Sequence, residues 1–143
     1  METKKKILIV DDDEDVIEQL SVILEGAGYE VHAAGGQVEG EELLLSVRPD
    51  LAILDLMMEE MDSGFVLSHY VRKLYPDVPI VLLTAVTAAT GLSFASTSPD
   101  AKEWAKVDQI MDKPVRSEQI RTLVERLLSE RRKEPATSEG GSK

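Results

Sequence analysis

Short apolar runs, each long enough for one strand and no longer, constrain this chain most. They fall at residues 7–10, 51–54 and 80–83, with a weaker run at 29–34 and a mixed one at 107–111. Four consecutive apolar residues leave a strand no polar face, so it must be covered on both sides. Between the runs the apolar spacing changes to three and four, the period of a helix. Val16, Leu20, Ile23, Leu24 and Ala27 mark a first helix, stopped by the Gly-Ala-Gly at 26–28. Val38, Leu44, Leu45 and Val47 mark a second. Phe65, Val66, His69, Tyr70, Val71 and Leu74 mark a third. Ile120, Leu123, Val124, Leu127 and Leu128 mark the last, with Ser117 placed to cap it. Strand and helix alternating about five times predict a parallel sheet between two helical layers. Five strands favour the order 2-1-3-4-5, a flavodoxin-like, doubly wound (βα)5 fold of the α/β class.

The length, 143 residues, suits one domain, read here as residues 5–130. With one Trp, three Tyr and two Phe, its core has to be aliphatic. There is no cysteine, which excludes disulfides, thiolate metal sites and a cysteine nucleophile. The opening "METKKKILIV" is too short in apolar residues for a signal peptide or a membrane span. A cytoplasmic protein without membrane contact is therefore expected. A formal net charge of −11 argues against direct nucleic-acid binding and suits metal cations or a basic partner. Residues 86–104 break the rhythm: small and polar, they predict a long loop and a short helix ending near Trp104. Residues 131–143 read as a disordered tail, with no output domain after them.

In open α/β sheets, ligands bind beyond the carboxyl ends of the strands. The first run ends in Asp11 and Asp12, the third in Asp55, the fourth in Thr84, and the fifth in Lys113 followed by Pro114. In the expected order these residues share one edge. Three carboxylates placed together resist ionising together, and a divalent cation removes that conflict. Mg2+ accepts oxygen ligands and keeps open positions for phosphate. A carboxylate can act as nucleophile toward phosphorus, a lysine can pair with the phosphoryl group, and a threonine hydroxyl can donate to it.

The stretches "ILIVDDDEDV", "PDLAILDLMMEEMDSGF", "PIVLLTA" and "MDKPV" resemble, in that order, the response-regulator receiver domain of two-component signalling. The resemblance covers about residues 5–130. It implies that Asp55 is the phosphoacceptor and that Asp11 and Asp12, with Asp55 and the backbone carbonyl of Met57, hold Mg2+. It implies that Thr84 is the switch hydroxyl and Lys113 the phosphoryl-binding lysine. Pro114 matches a family cis-proline position, and Ala85 and Ile110 fall in the switching region. The implied partners are a sensor histidine kinase or phosphotransfer protein and a downstream protein of unknown kind, with this chain a monomer or weak dimer. Three departures stand out. Glu59 replaces the usual proline, "MDSG" replaces Met-Asp-Gly, and Ile110 replaces an aromatic. They leave room for a degenerate receiver that binds partners without phosphate. A Mg2+-dependent phosphohydrolase with an aspartyl nucleophile is the enzymatic alternative. It fits less well, since it would carry its nucleophile after the first strand and have a cap domain.

Other readings of the acids and histidines are plainer. Asp13, Glu14 and Asp15 suit the first turn of a helix, where acids complement the dipole. A calcium loop fails, because Val16 and Val22 stand where it needs glycine and glutamate. His69, on the apolar stripe of the third helix, reads as a packing residue, and His32 as an edge-strand residue.

Overall fold

The apolar runs lie side by side in a single sheet. The computed structural model describes residues 4–56, 63–85, 108–113 and 115–142. Within them the order is β1 (Lys6–Val10), α1 (Glu14–Gly26), β2 (Glu30–Ala34), α2 (Gln37–Ser46), β3 (Leu51–Asp55), α3 (Ser63–Leu74), β4 (Ile80–Ala85), β5 (Gln109–Lys113) and α4 (Ser117–Ser142). The strands pair in parallel in the order β2-β1-β3-β4-β5, as expected. The long loop and short helix expected at 86–104 lie outside the described residues.

Because side chains alternate along a strand, each strand feeds two cores. Leu8, Val10, Ala52, Leu54, Ile80, Leu82 and Ile110 face α2 and α3. Ile7, Ile9, Leu51, Ile53, Val81, Leu83 and Met111 face α1 and α4. The predicted stripe of the last helix is confirmed in full: Ile120, Leu123, Val124, Leu127 and Leu128 are all buried. Each such side chain contributes about 1.5–3 kcal/mol of apolar transfer energy.

Both ends of α1 are built from local chemistry. Asp13 caps it, its carboxylate accepting from the Asp15 N–H at 3.0 Å. At the other end Gly28 takes a φ of +100°, and the Tyr29 N–H closes back on the Leu24 carbonyl at 3.0 Å. Glycine adopts that conformation without steric cost.

Three expectations are corrected. In α2, Leu44 faces inward as expected, but Val38 and Leu45 are 61% and 70% exposed, and Gly40 holds the other inward position. A side chain at Gly40 would stand 3.1 Å from the side-chain ends of both Leu67 and Val10, so α2 lies close against the sheet here. Counting apolar residues cannot find an inward position occupied by glycine. In α3, the buried stripe is Gly64, Leu67, Ser68 and Val71, while Val66 and His69 are exposed, so His69 is not a packing residue. Finally, α4 continues through the stretch expected to be a disordered tail and begins at Ser117, with the Ile120 N–H on the Arg116 carbonyl at 3.0 Å. The run Glu130–Glu134 consists of good helix formers, and extending an existing helix costs far less than starting one; past it, Pro135 and the glycines at 140 and 141 do not account for the helix.

The amino edge of the sheet is fastened by two aspartates of the same design. Asp50, just before β3, gives its N–H to the Lys6 carbonyl and takes the Lys6 N–H on Oδ2, both at 2.7 Å. Asp108, just before β5, does the same with Ile80, both bonds being 2.8 Å. Arg72 braces the second clamp, reaching Asp108 at 3.1 Å and the carbonyls of Pro76 and Val78 at 2.7 and 3.0 Å. Asp108→Ala leaves the buried Ile80 N–H without its acceptor, and the expected cost is about 1–3 kcal/mol in urea unfolding. Arg48→Ala removes a surface pair with Asp77 and is expected to cost well under about 1 kcal/mol in the same measurement.

Candidate functional site

Each strand delivers its last residues to the carboxyl edge, and β1, β3, β4 and β5 deliver the polar ones. Asp11 follows β1 immediately and is fully buried. Its N–H is held by the Ala34 carbonyl at 3.2 Å, and its Oδ1 accepts from the Asp13 N–H at 2.9 Å. Asp55 ends β3 and is only 5% exposed. Its successor Leu56 is tied to β4 through the Leu83 carbonyl at 2.8 Å. Asp12 stands exposed beside them, so one carboxylate faces solvent and two do not.

Lys113, the last residue of β5, reaches over the end of β4 into this cluster. Its ammonium lies 2.9 Å from Asp11 Oδ2 and 3.2 Å from Asp55 Oδ1. The approach to Asp11 is an ion pair off the direction of a hydrogen bond, which leaves Asp11 Oδ2 buried and unsatisfied. Burial disfavours the Lys113 ammonium, yet the close carboxylates of Asp11 and Asp55 outweigh it and hold its pKa above the usual lysine value. For Asp55, burial first and then the Asp11 charge raise the carboxyl from 3.8 to about 6, with Lys113 opposing and Asp12 adding to the rise.

Carboxylate oxygens of Asp11, Asp12 and Asp55 come within 4.8 Å of one another. Three hard oxygen donors and one unsatisfied buried carboxylate oxygen fit a divalent cation such as Mg2+. Of the other residues singled out by sequence, Thr84 is 4% exposed at the end of β4, next to Asp112 in register. Ala85 stands opposite Lys113 in that same pairing. Ile110 is buried in the core under α3 with Leu82 and Val71, away from the charged edge. Met57 and Pro114 lie outside the described residues. Gly64, the last residue of the "MDSG" stretch, joins the site through its backbone. Here its N–H donates to the Leu56 carbonyl at 2.8 Å, against the strand end that carries Asp55.

An open parallel sheet thus carries two acids after its first strand, a buried aspartate ending its third and a lysine reaching both buried acids at one edge. Residues 7–125 match the response regulator receiver domain family, and the chain belongs to it. It is 39% identical over 83 residues to the DNA-binding dual master transcriptional regulator RpaA of Synechocystis, a match spanning 57% of this chain and 34% of that protein. It is 30% identical over 133 residues to the DNA-binding response regulator MtrA of Mycolicibacterium smegmatis, covering 93% of this chain and 54% of MtrA. The chain thus spans between a third and about half the length of these relatives. Among solved structures, it resembles a CheY-like receiver domain protein from Methanospirillum hungatei with TM-score 0.78 and 28% identity, over 92% of this chain and 99% of that one. It also resembles the receiver domain of a signal transduction histidine kinase from Syntrophus aciditrophicus, with TM-score 0.71 and 32% identity, over 87% and 90% of the two chains. Among the described residues, no helix is long and apolar enough to cross a membrane.

The raised Asp55 pKa makes the metal-free site a pH-dependent burden. A folded-state value above the unfolded one means the fold favours the protonated acid. Its penalty is absent below about pH 4, grows through the window up to about 6, and is complete above it. In EDTA, Asp55→Asn is therefore expected to stabilise the protein at pH 7 by on the order of 1 kcal/mol or more. Denaturant titrations should show that gain closing near pH 4 and shrinking at pH 7 when Mg2+ is added.

Proposed function

We propose that this receiver accepts a phosphoryl group on Asp55 from a phosphohistidine of a sensor histidine kinase or phosphotransfer protein, with Mg2+ bound by Asp11, Asp12, Asp55 and the Met57 carbonyl. The observation that carries this reading is Asp55 itself: a buried strand-end carboxylate, 3.2 Å from an ammonium and within 4.8 Å of two further acids. Bound Mg2+ would supply positive charge against the carboxylates and the phosphoryl oxygens.

A carboxylate oxygen of Asp55 attacks phosphorus. The phosphorus–nitrogen bond to the donor imidazole breaks, and the departing nitrogen keeps the electron pair and takes a proton. Lys113 exchanges its pairing with Asp55 Oδ1 for a phosphoryl oxygen, which keeps an ammonium beside the new negative charge. The Thr84 hydroxyl donates to another phosphoryl oxygen, drawing the end of β4 toward Asp55. That movement alters the face around β4 and β5 and so changes binding of a downstream protein in the cytoplasm. The relatives act in signalling, and the same role here makes phosphorylation, not substrate turnover, the output.

Incubation with acetyl phosphate and Mg2+ should add the mass of one phosphoryl group to the intact protein, and Asp55→Asn should abolish it. Unchanged mass with every donor would mean a degenerate receiver, and turnover of phosphate esters would mean a phosphohydrolase. Thr84→Ala is expected to keep the mass gain but lose the phosphorylation-dependent change in partner binding, read by pull-down. Two apolar residues, Met57 and Val86, stand two past the acceptor and two past the threonine, where a polar side chain could orient water. The label should accordingly persist for minutes without a phosphatase, and loss within seconds would contradict this.

A further inference from the structure

Two glycines on the face under α2 and α3 pack closely, and they differ in what they touch. At Gly40 a side chain would meet the ends of Leu67 and Val10 at 3.1 Å, and those ends can move. At Gly64 the three nearest atoms it would meet are all main chain: the Asp55 carbonyl oxygen, Leu56 Cα at 2.6 Å and the Asp55 carbonyl carbon at 3.0 Å. Real side chains do not approach backbone that closely, so strand or helix would have to shift. Backbone freedom does not explain this glycine, because among the described residues the positive φ belongs to Gly28. Space explains it.

The surroundings of Asp55 make that contact consequential. Gly64 is the second residue of α3, where helix N–H groups have no partner within the helix. Its N–H takes the Leu56 carbonyl at 2.8 Å, while the Leu56 N–H is held by the Leu83 carbonyl at 2.8 Å. Leu56, the residue after Asp55, is thus held between β4 and α3. Ser63, the residue preceding Gly64, is fully buried, so the start of the helix has little room to retreat.

We infer that Gly64 is a positioning residue for the phosphoacceptor: its bare Cα, seated on the main chain of Asp55 and Leu56, and its N–H, bonded to the Leu56 carbonyl, together set where the Asp55 carboxylate stands among Asp11, Asp12 and Lys113. This deepens the reading of Asp55 as phosphoacceptor and depends on it. A carboxylate displaced by the fraction of an ångström that a methyl group demands loses alignment toward phosphorus and toward the cation. Displacements of about 1 Å can cost about a hundredfold in rate.

The test uses acetyl phosphate and Mg2+, so that no partner docking enters, with labelling followed by intact mass and normalised to the folded fraction from circular dichroism. Wild type should label, Gly64→Ala should label about tenfold or more slowly with a raised Mg2+ midpoint, and Gly40→Ala should match wild type in both. A shift in the Mg2+ midpoint separates positioning from loss of stability, which the normalisation removes. If Gly64→Ala does not fold, a semisynthetic protein with glycolate at position 64 removes the N–H bond to Leu56 without adding an atom. Slower labelling of that protein supports the inference. Labelling at the wild-type rate by Gly64→Ala, or by the glycolate protein where the alanine variant fails to fold, overturns it. Failure of wild type itself to label overturns the reading of Asp55 and the inference with it.

Discussion

One ammonium balancing two buried carboxylates is the interaction on which the carboxyl edge depends. Asp11 and Asp55 are nearly or wholly removed from water, and burying unpaired charge costs more than a small domain can absorb. Lys113 answers both acids at once, at 2.9 and 3.2 Å. The balance is incomplete, since Asp11 Oδ2 keeps no hydrogen bond and Asp55 is driven toward its protonated form. The site is therefore strained in its charge. Functional sites commonly hold ionisable groups in this condition.

The fold supplies this arrangement through direction and register. All five strands run the same way, so every strand ends on the same edge. The alternation of side chains fills two aliphatic cores and leaves the terminal residues free for polar work. The first helix is started by Asp13, which frees Asp11 and Asp12 from capping duty. The five acids of residues 11–15 thus separate into two that face the site and three that begin a helix.

What was legible in the sequence was whatever rests on a period or on a strand end. The sheet, its order and the meeting of Asp11, Asp12, Asp55 and Lys113 follow from apolar runs and the residues after them. The stripe of α4 was legible because five large aliphatic residues mark it. The inward faces of α2 and α3 were misread where Gly40, Gly64 and Ser68 occupy buried positions, since small residues leave no apolar trace. His69 was drawn into the stripe by its apolar neighbours, although Leu67 and Ser68 hold the buried positions beside it. The close seat of Gly64 on Asp55 was illegible for another reason. It joins residues through the β3–α3 connection, and nothing in spacing reports how near two backbones come.

The two aspartate clamps at Lys6 and Ile80 give the molecule a mechanical asymmetry. One rim of the sheet is laced by side chain to backbone, and at the other the described side chains are mutually repelling acids and the lysine that pairs with two of them. Local stability in proteins follows such differences in bonding. The domain is built like a fan gripped at its rivet: its blades are fixed where they begin, so any disturbance at the open tips has to be absorbed near those tips. A change of charge at that rim therefore stays concentrated in the strand ends.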